Sequence, residues 1–176
     1  MAKIIYKDGC EGKNRLESIE GIEIEMLNGQ KALIFPKYAE KEMFEEGKEG
    51  RWDAKSVTEI EALKKTDNLW ATGALLRCSS PAAEFVSNFR SDRHGIFGLP
   101  TLLAAMEVQD QKKDIDALAE MIDGADLLRN FTSSVWSCSR YISGYGWIAN
   151  GSVGYAGSGS LCYQNLCVPL VLYRES

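Results

Sequence analysis

The chain has 176 residues, 45% of them hydrophobic, with six Phe, seven Tyr and four Trp. That suffices for a single domain over 1–176, is short for two, and lies far from the aromatic-poor composition of disordered chains. A formal charge of −5 with no basic run argues against a protein that holds nucleic acid by neutralising phosphates.

The opening MAKIIYKDGCEGKNRLE has no apolar signal-peptide core, and no window reaches the roughly 18 apolar residues that a membrane span needs. The expectation is cytosolic synthesis and no membrane span. GIEIEMLNGQKALIF alternates apolar and polar residues around Asn28-Gly29, which predicts strands over 22–27 and 31–35 joined by a two-residue hairpin turn. KYAEKEMFEEGKEG then predicts a charged surface segment with a short helix before the Gly-containing break at 47–50.

Over Asp53 to Lys65, Val57, Ile60 and Leu63 recur at spacings of three, and Asp53 stands where a helix is capped. A helix is predicted there. The stretch 69–98 mixes apolar residues with Gly, Ser and Pro in no clean period and predicts short helical turns and loops. Next, Thr101 is a good N-cap for a helix with Leu102, Leu103, Ala105 and Met106 on its apolar face. DIDALAEMI, Asp114 to Ile122, predicts a second helix ending near Gly124. The pieces VWSCSRYI, YGWIA, SVGYA and CVPLVLY predict strands joined by Gly and Ser turns. The result is an α+β domain: hairpin, helix and loops over 1–94, then helix and strands over 95–176, with the terminal strands in one sheet.

The C-terminal stretch is unusual in charge. Arg140 is the only charged residue in the 31 positions from Ser137 to Cys167, where twelve are Gly or Ser and four are Tyr. Tyr and Trp offer wide contact area at low conformational cost, while Ser, Gly and Asn offer adaptable hydrogen bonds, as in antibody binding loops. The same composition also describes strands rich in Tyr, Trp and Ile with Gly and Ser in their turns.

Gly98-Leu99-Pro100-Thr101, Ser133-Ser134-Val135-Trp136-Ser137, Gly146-Trp147-Ile148 and Val168-Pro169-Leu170 occur in that order. Together they resemble the C-terminal pattern of bacterial and phage proteins of the C-type-lectin fold, a group that includes the variable proteins of diversity-generating retroelements. The resemblance covers about residues 95–173 and departs from the pattern at Val168, where Arg is usual, and at Cys138, where Ser or Thr is commoner.

It implies a C-type-lectin-like fold with a mixed or antiparallel sheet, two main helices, long loops and adjacent termini. It also implies a hypervariable surface that binds a protein or cell-surface ligand, with no cofactor. Trp136, Trp147, Val153 and Pro169 would be scaffold, with the aromatics buried, and Tyr141 is a further scaffold candidate. The binding face would comprise Cys138, Arg140, Ile142, Tyr145, Tyr155, Gly157, Gly159, Leu161, Tyr163 and Leu166, with Tyr145 and Tyr155 pointing outward. Retroelement mutagenesis of Asn codons at adenines does not yield Lys, Glu, Met or Gln, and 137–167 holds no Lys, Glu, Asp or Met. The settings implied are a phage tail tip or prophage adhesin, or a cytosolic bacterial variable protein; other phage-particle proteins or a second copy are further partners. A fixed structural module of a phage particle is the alternative.

Catalysis and metals have little to draw on. The five cysteines, Cys10, Cys78, Cys138, Cys162 and Cys167, form no CxxC pair and read as free thiols. His94 is the only histidine, and nothing in the sequence places a cysteine beside it. Enzymes related to formylglycine generation share the fold and need a reactive cysteine pair, for which Cys162 and Cys167 have the only candidate spacing. Asn150, Gln164 and Asn165 are too few oxygen donors for a calcium site, so no metal is expected.

Overall fold

Alternating isoleucines build the N-terminal sheet. In the computed structural model, which describes residues 1–151 and 155–175, β1 (Lys3–Tyr6), β2 (Ile19–Glu25) and β3 (Lys31–Ile34) pair antiparallel, with Ile22 opposite both Ile4 and Ile34. Ile22, Ile24, Ala32 and Ile34 enter one core while Leu33 packs on the other side with Phe97, as the period of two requires. The turn at Asn28-Gly29 is a three-residue loop rather than the predicted two-residue one. Gly29 N–H donates to the Met26 carbonyl, Met26 N–H donates to that of Gln30, and only Gly29 has a positive φ, 82°. A two-residue type I′ turn needs positive φ at both central positions. Asn28 instead accepts the Gln30 N–H through its side chain at 3.0 Å.

β4 (Ala39–Glu42) stands where a short helix is predicted. The next helix is also shorter than predicted: α1 (Glu59–Lys64) starts at a capping box in which Thr58 and Glu61 each accept the other's backbone N–H at 3.2 Å. Asp53 to Val57 therefore lie outside it. Ala62 faces the core and Ile60 faces solvent. α2 (Leu69–Arg77) and α3 (Pro81–Ser87) occupy the region without a clean period, α3 opening on a Ser80 cap followed by proline. β5 (Arg90–Ser91) and β6 (Gly95–Ile96) form a small hairpin.

α4 (Leu102–Asp110) begins as predicted, the Thr101 hydroxyl accepting the Ala104 N–H at 3.2 Å, and α5 (Lys112–Ala119) follows. Five strands close the chain: β7 (Val135–Ile142), β8 (Tyr145–Ala149), β9 (Ala156–Ser160), β10 (Gln164–Cys167) and β11 (Leu170–Tyr173). The domain is α+β, with five α-helices among the described residues against the two main ones expected.

The four-stranded sheet runs β1-β2-β3-β11, so the first and last strands share it at opposite edges; the five-stranded sheet runs β4-β10-β7-β8-β9. All pairings in the second are antiparallel except β10 with β7. β4 is an edge strand, which explains how Glu40, Lys41 and Glu42 sit comfortably in a sheet. One core joins β2 and β3 to α4 and α5 through Val108, Ile115 and Ala119; a second joins β7, β8 and β10 to α2 and α3 through Trp136, Leu75 and Val86. Buried Asn68 bolts the halves together, its Nδ2 donating to the carbonyls of Leu99 (2.8 Å) and Leu170 (2.9 Å).

Candidate functional site

The segment with a single charge, 137–167, is held by two tryptophans on opposite faces of one sheet, Trp136 just before it and Trp147 within it. Trp136 on β7 is fully buried and donates Nε1–H to the Lys41 carbonyl at 2.8 Å. Its indole fits a slot made by Gly146 of β8 and Gly159 of β9, which face each other across the strands. A Cβ at Gly146 would come within 3.1 Å of Trp136 Cζ3, and one at Gly159 within 3.5 Å of Cη2 and 3.1 Å of Asn165 Nδ2. Trp147 points to the other face, is buried against Ala62 and Leu102, and donates Nε1–H to the Val57 carbonyl at 2.9 Å. Tyr141, half-buried, meets it edge-on with ring centroids 4.6 Å apart.

On this frame Ile142, Tyr145, Tyr155 and Tyr163 are exposed, at 48%, 43%, 70% and 70%. Gly157 is half-buried, and a Cβ there would meet Ile148 Cγ1 at an ordinary 3.7 Å. Other residues expected on the binding face lie elsewhere. Cys138, Leu161 and Leu166 are core residues, the first two packed with Trp136 and the third with Val135 and Val168. Gly159 is a packing position for the indole. β7 breaks register with β8 between Trp136 and Arg140 and again before Ile142, yet Cys138 stands two residues after Trp136 and enters the same core, as the period of two requires. Pro169 is buried. Val153, expected as scaffold, lies outside the described residues.

Arg140 has a structural job beside any other. Its Nη1 donates to the carbonyls of Trp52 (3.0 Å) and Ala54 (2.8 Å), while its own carbonyl accepts the Val57 N–H at 3.0 Å. Together with Trp147 it fastens the loop 52–57 onto β7 and β8. Between that loop, α2 and β7 is a pocket of about 400 Å³, whose wall includes Trp52, Lys55, Lys65, Trp70, Cys138 and Arg140. Four of these six come from the N-terminal half, where the sequence carries no motif for them; the one local signal is Trp70, a tryptophan left 74% exposed on a helix.

Two of the five thiols are buried and poorly placed for nucleophilic work. Burial pushes Cys138 up to about 11 and Cys167 up to about 12, which keeps both protonated near neutrality. Cys162 lies beside the Ser160 hydroxyl at 3.3 Å. His94 stacks on Tyr173 with centroids 4.2 Å apart. Among the described residues no three His, Cys, Asp or Glu side chains gather as a metal site, and no helix is long and apolar enough to cross a membrane. Compared with protein-family models, with curated proteins and with solved structures, the chain gives no match.

Proposed function

We propose that this chain is a C-type-lectin-like binding protein that engages a protein or cell-surface ligand through Ile142, Tyr145, Tyr155 and Tyr163, as a variable protein of a diversity-generating retroelement does. The observation that carries the reading is the division of apolar side chains within the segment 137–167. Trp147, Ile148, Leu161 and Leu166 are buried, as is Trp136 just before it, while one Ile and three Tyr are left in solvent. Such a surface loses few strong water contacts on binding, and its tyrosines bring large contact area for two torsions each. The buried tryptophans and the glycine slot keep the strands fixed whatever side chains stand outside them, the arrangement a changeable surface needs.

The test is to sequence a few kilobases downstream of the gene. The reading expects an adenine-rich near-copy of the segment encoding 137–167 beside a reverse-transcriptase gene, with differences concentrated at template adenines in the codons of exposed residues. Absence of the copy would remove diversification and leave a fixed binding or structural module.

A further inference from the structure

We propose that the pocket between the 52–57 loop and α2 is a separate site for a small carboxylate with an aromatic or aliphatic body. It does not rest on the tyrosine surface. Its volume of about 400 Å³ falls within the range of pockets that enclose small molecules, about 300–1,000 Å³. The apolar wall comes from Trp52, Trp70, Ala71, Ala74 and Cys138, and Trp70 is 74% exposed, so one indole face is available to a flat ligand.

The charges on the wall select the sign. Lys55, Lys65 and Arg140 stand against the single carboxylate of Asp53, a local cationic excess in a chain whose formal charge is −5. Arg140 adds geometry. Both of its side-chain hydrogen bonds leave from Nη1, and its buried Nε has no partner. The Nε–Nη2 edge therefore carries no acceptor among the described residues. Nε is itself sealed from solvent, which leaves Nη2 as the guanidinium nitrogen that can give a ligand carboxylate a charge-assisted N–H···O bond. The two carbonyls on Nη1 hold the guanidinium in place before any ligand enters, which lowers the ordering cost of binding.

The full chain titrated by calorimetry with 2-naphthoate and with neutral 2-naphthalenemethanol tests this. The expected result is saturable binding of naphthoate at least about tenfold tighter than the alcohol, because charge-assisted hydrogen bonds are roughly twice as strong as neutral ones. Trp70→Ala should weaken both compounds; its side chain is largely exposed, so the fold should survive. Lys65→Met should weaken naphthoate several-fold and leave the alcohol unchanged. Tyr163→Ser should change neither, whereas it would weaken capture of a ligand by the tyrosine surface, so the two sites fail separately. Equal affinities for acid and alcohol, indifference to Trp70→Ala, or no binding at millimolar naphthoate would overturn the proposal.

Discussion

The glycine slot for Trp136 makes a quantitative prediction. Gly146 and Gly157 lie in neighbouring strands of one sheet, and both become alanine without forcing an unfavourable φ. At Gly146 the new methyl would sit 3.1 Å from Trp136 Cζ3 and 3.3 Å from Leu161 Cδ2, both tighter than normal carbon contact, and both neighbours are fully buried. Neither can retreat without disturbing the Nε1 bond to Lys41 or the surrounding core, so Gly146→Ala should cost about 1–3 kcal/mol, the usual range for overpacking. At Gly157 the closest neighbour is 3.7 Å away. Alanine there gains ordinary contact and restricts the unfolded chain, so Gly157→Ala should be neutral or stabilising by up to about 1 kcal/mol. Urea unfolding followed by tryptophan fluorescence measures both, with an unchanged m-value required for the comparison. In thermal melts the difference should separate the midpoints by several degrees, at about 2–4 °C per kcal/mol for a chain this long. Equal midpoints, or a lower one for Gly157→Ala, would refute the slot.

Side chains formerly grouped by composition should separate by burial: Leu161→Ala and Leu166→Ala should each cost about 2–5 kcal/mol, whereas Tyr155→Ser and Tyr163→Ser should stay within about 0.5 kcal/mol, all read from the same urea curves. Arg140→Lys removes the two bonds to Trp52 and Ala54, so the amides of 53–57, Val57 above all, should exchange faster with deuterium while those of β2 and β3 do not change. Native protein at pH 8 should react with a disulfide reagent at the half-exposed Cys10, Cys78 and Cys162 and spare Cys138 and Cys167 until it unfolds. The last two also give the alkaline limb of stability. Their folded values, about 11 and about 12, lie above the ordinary 9, so the stabilising effect is complete below pH 9 and declines as unfolded thiols ionise above it. The urea midpoint should fall between pH 8 and pH 10.5, and fall less in Cys138→Ala.

Much of the framework is legible in the residues. The alternating isoleucines of β2, the Thr101 cap and the run VPLVLY announce themselves because each is a local pattern with one physical reading. β4 is not, since AEKE carries no apolar alternation and becomes a strand only because β10 arrives to pair with it. The early start expected for α1 rests on an apolar spacing that the structure turns outward at Ile60, while the four-residue capping box from Thr58 to Glu61 sets the true start. In the candidate surface, composition identified a segment but not its faces. Cys138 follows Trp136 at the period of two into the same core, and Leu161 and Leu166 are covered by elements from other parts of the chain, which composition does not register. The pocket was invisible for another reason: its walls come from residues 52–74 and from β7, brought together by the bonds of Arg140 and Trp147 and by apolar packing across the fold.

The place of β10 has a consequence for the order in which the molecule can be made. It inserts between β4 and β7, and β11 then completes the first sheet beside β3. A ribosome delivering this chain releases β4 and then, about 90 residues later, β7 before the strand that joins them exists. Until residues 164–173 emerge, three strand edges, on β3, β4 and β7, stay open and the Asn68 bolt lacks its Leu170 end. Assembly of both sheets thus waits on the last residues of the chain, and the segment that carries the proposed binding surface is translated just before the strand that locks it in place.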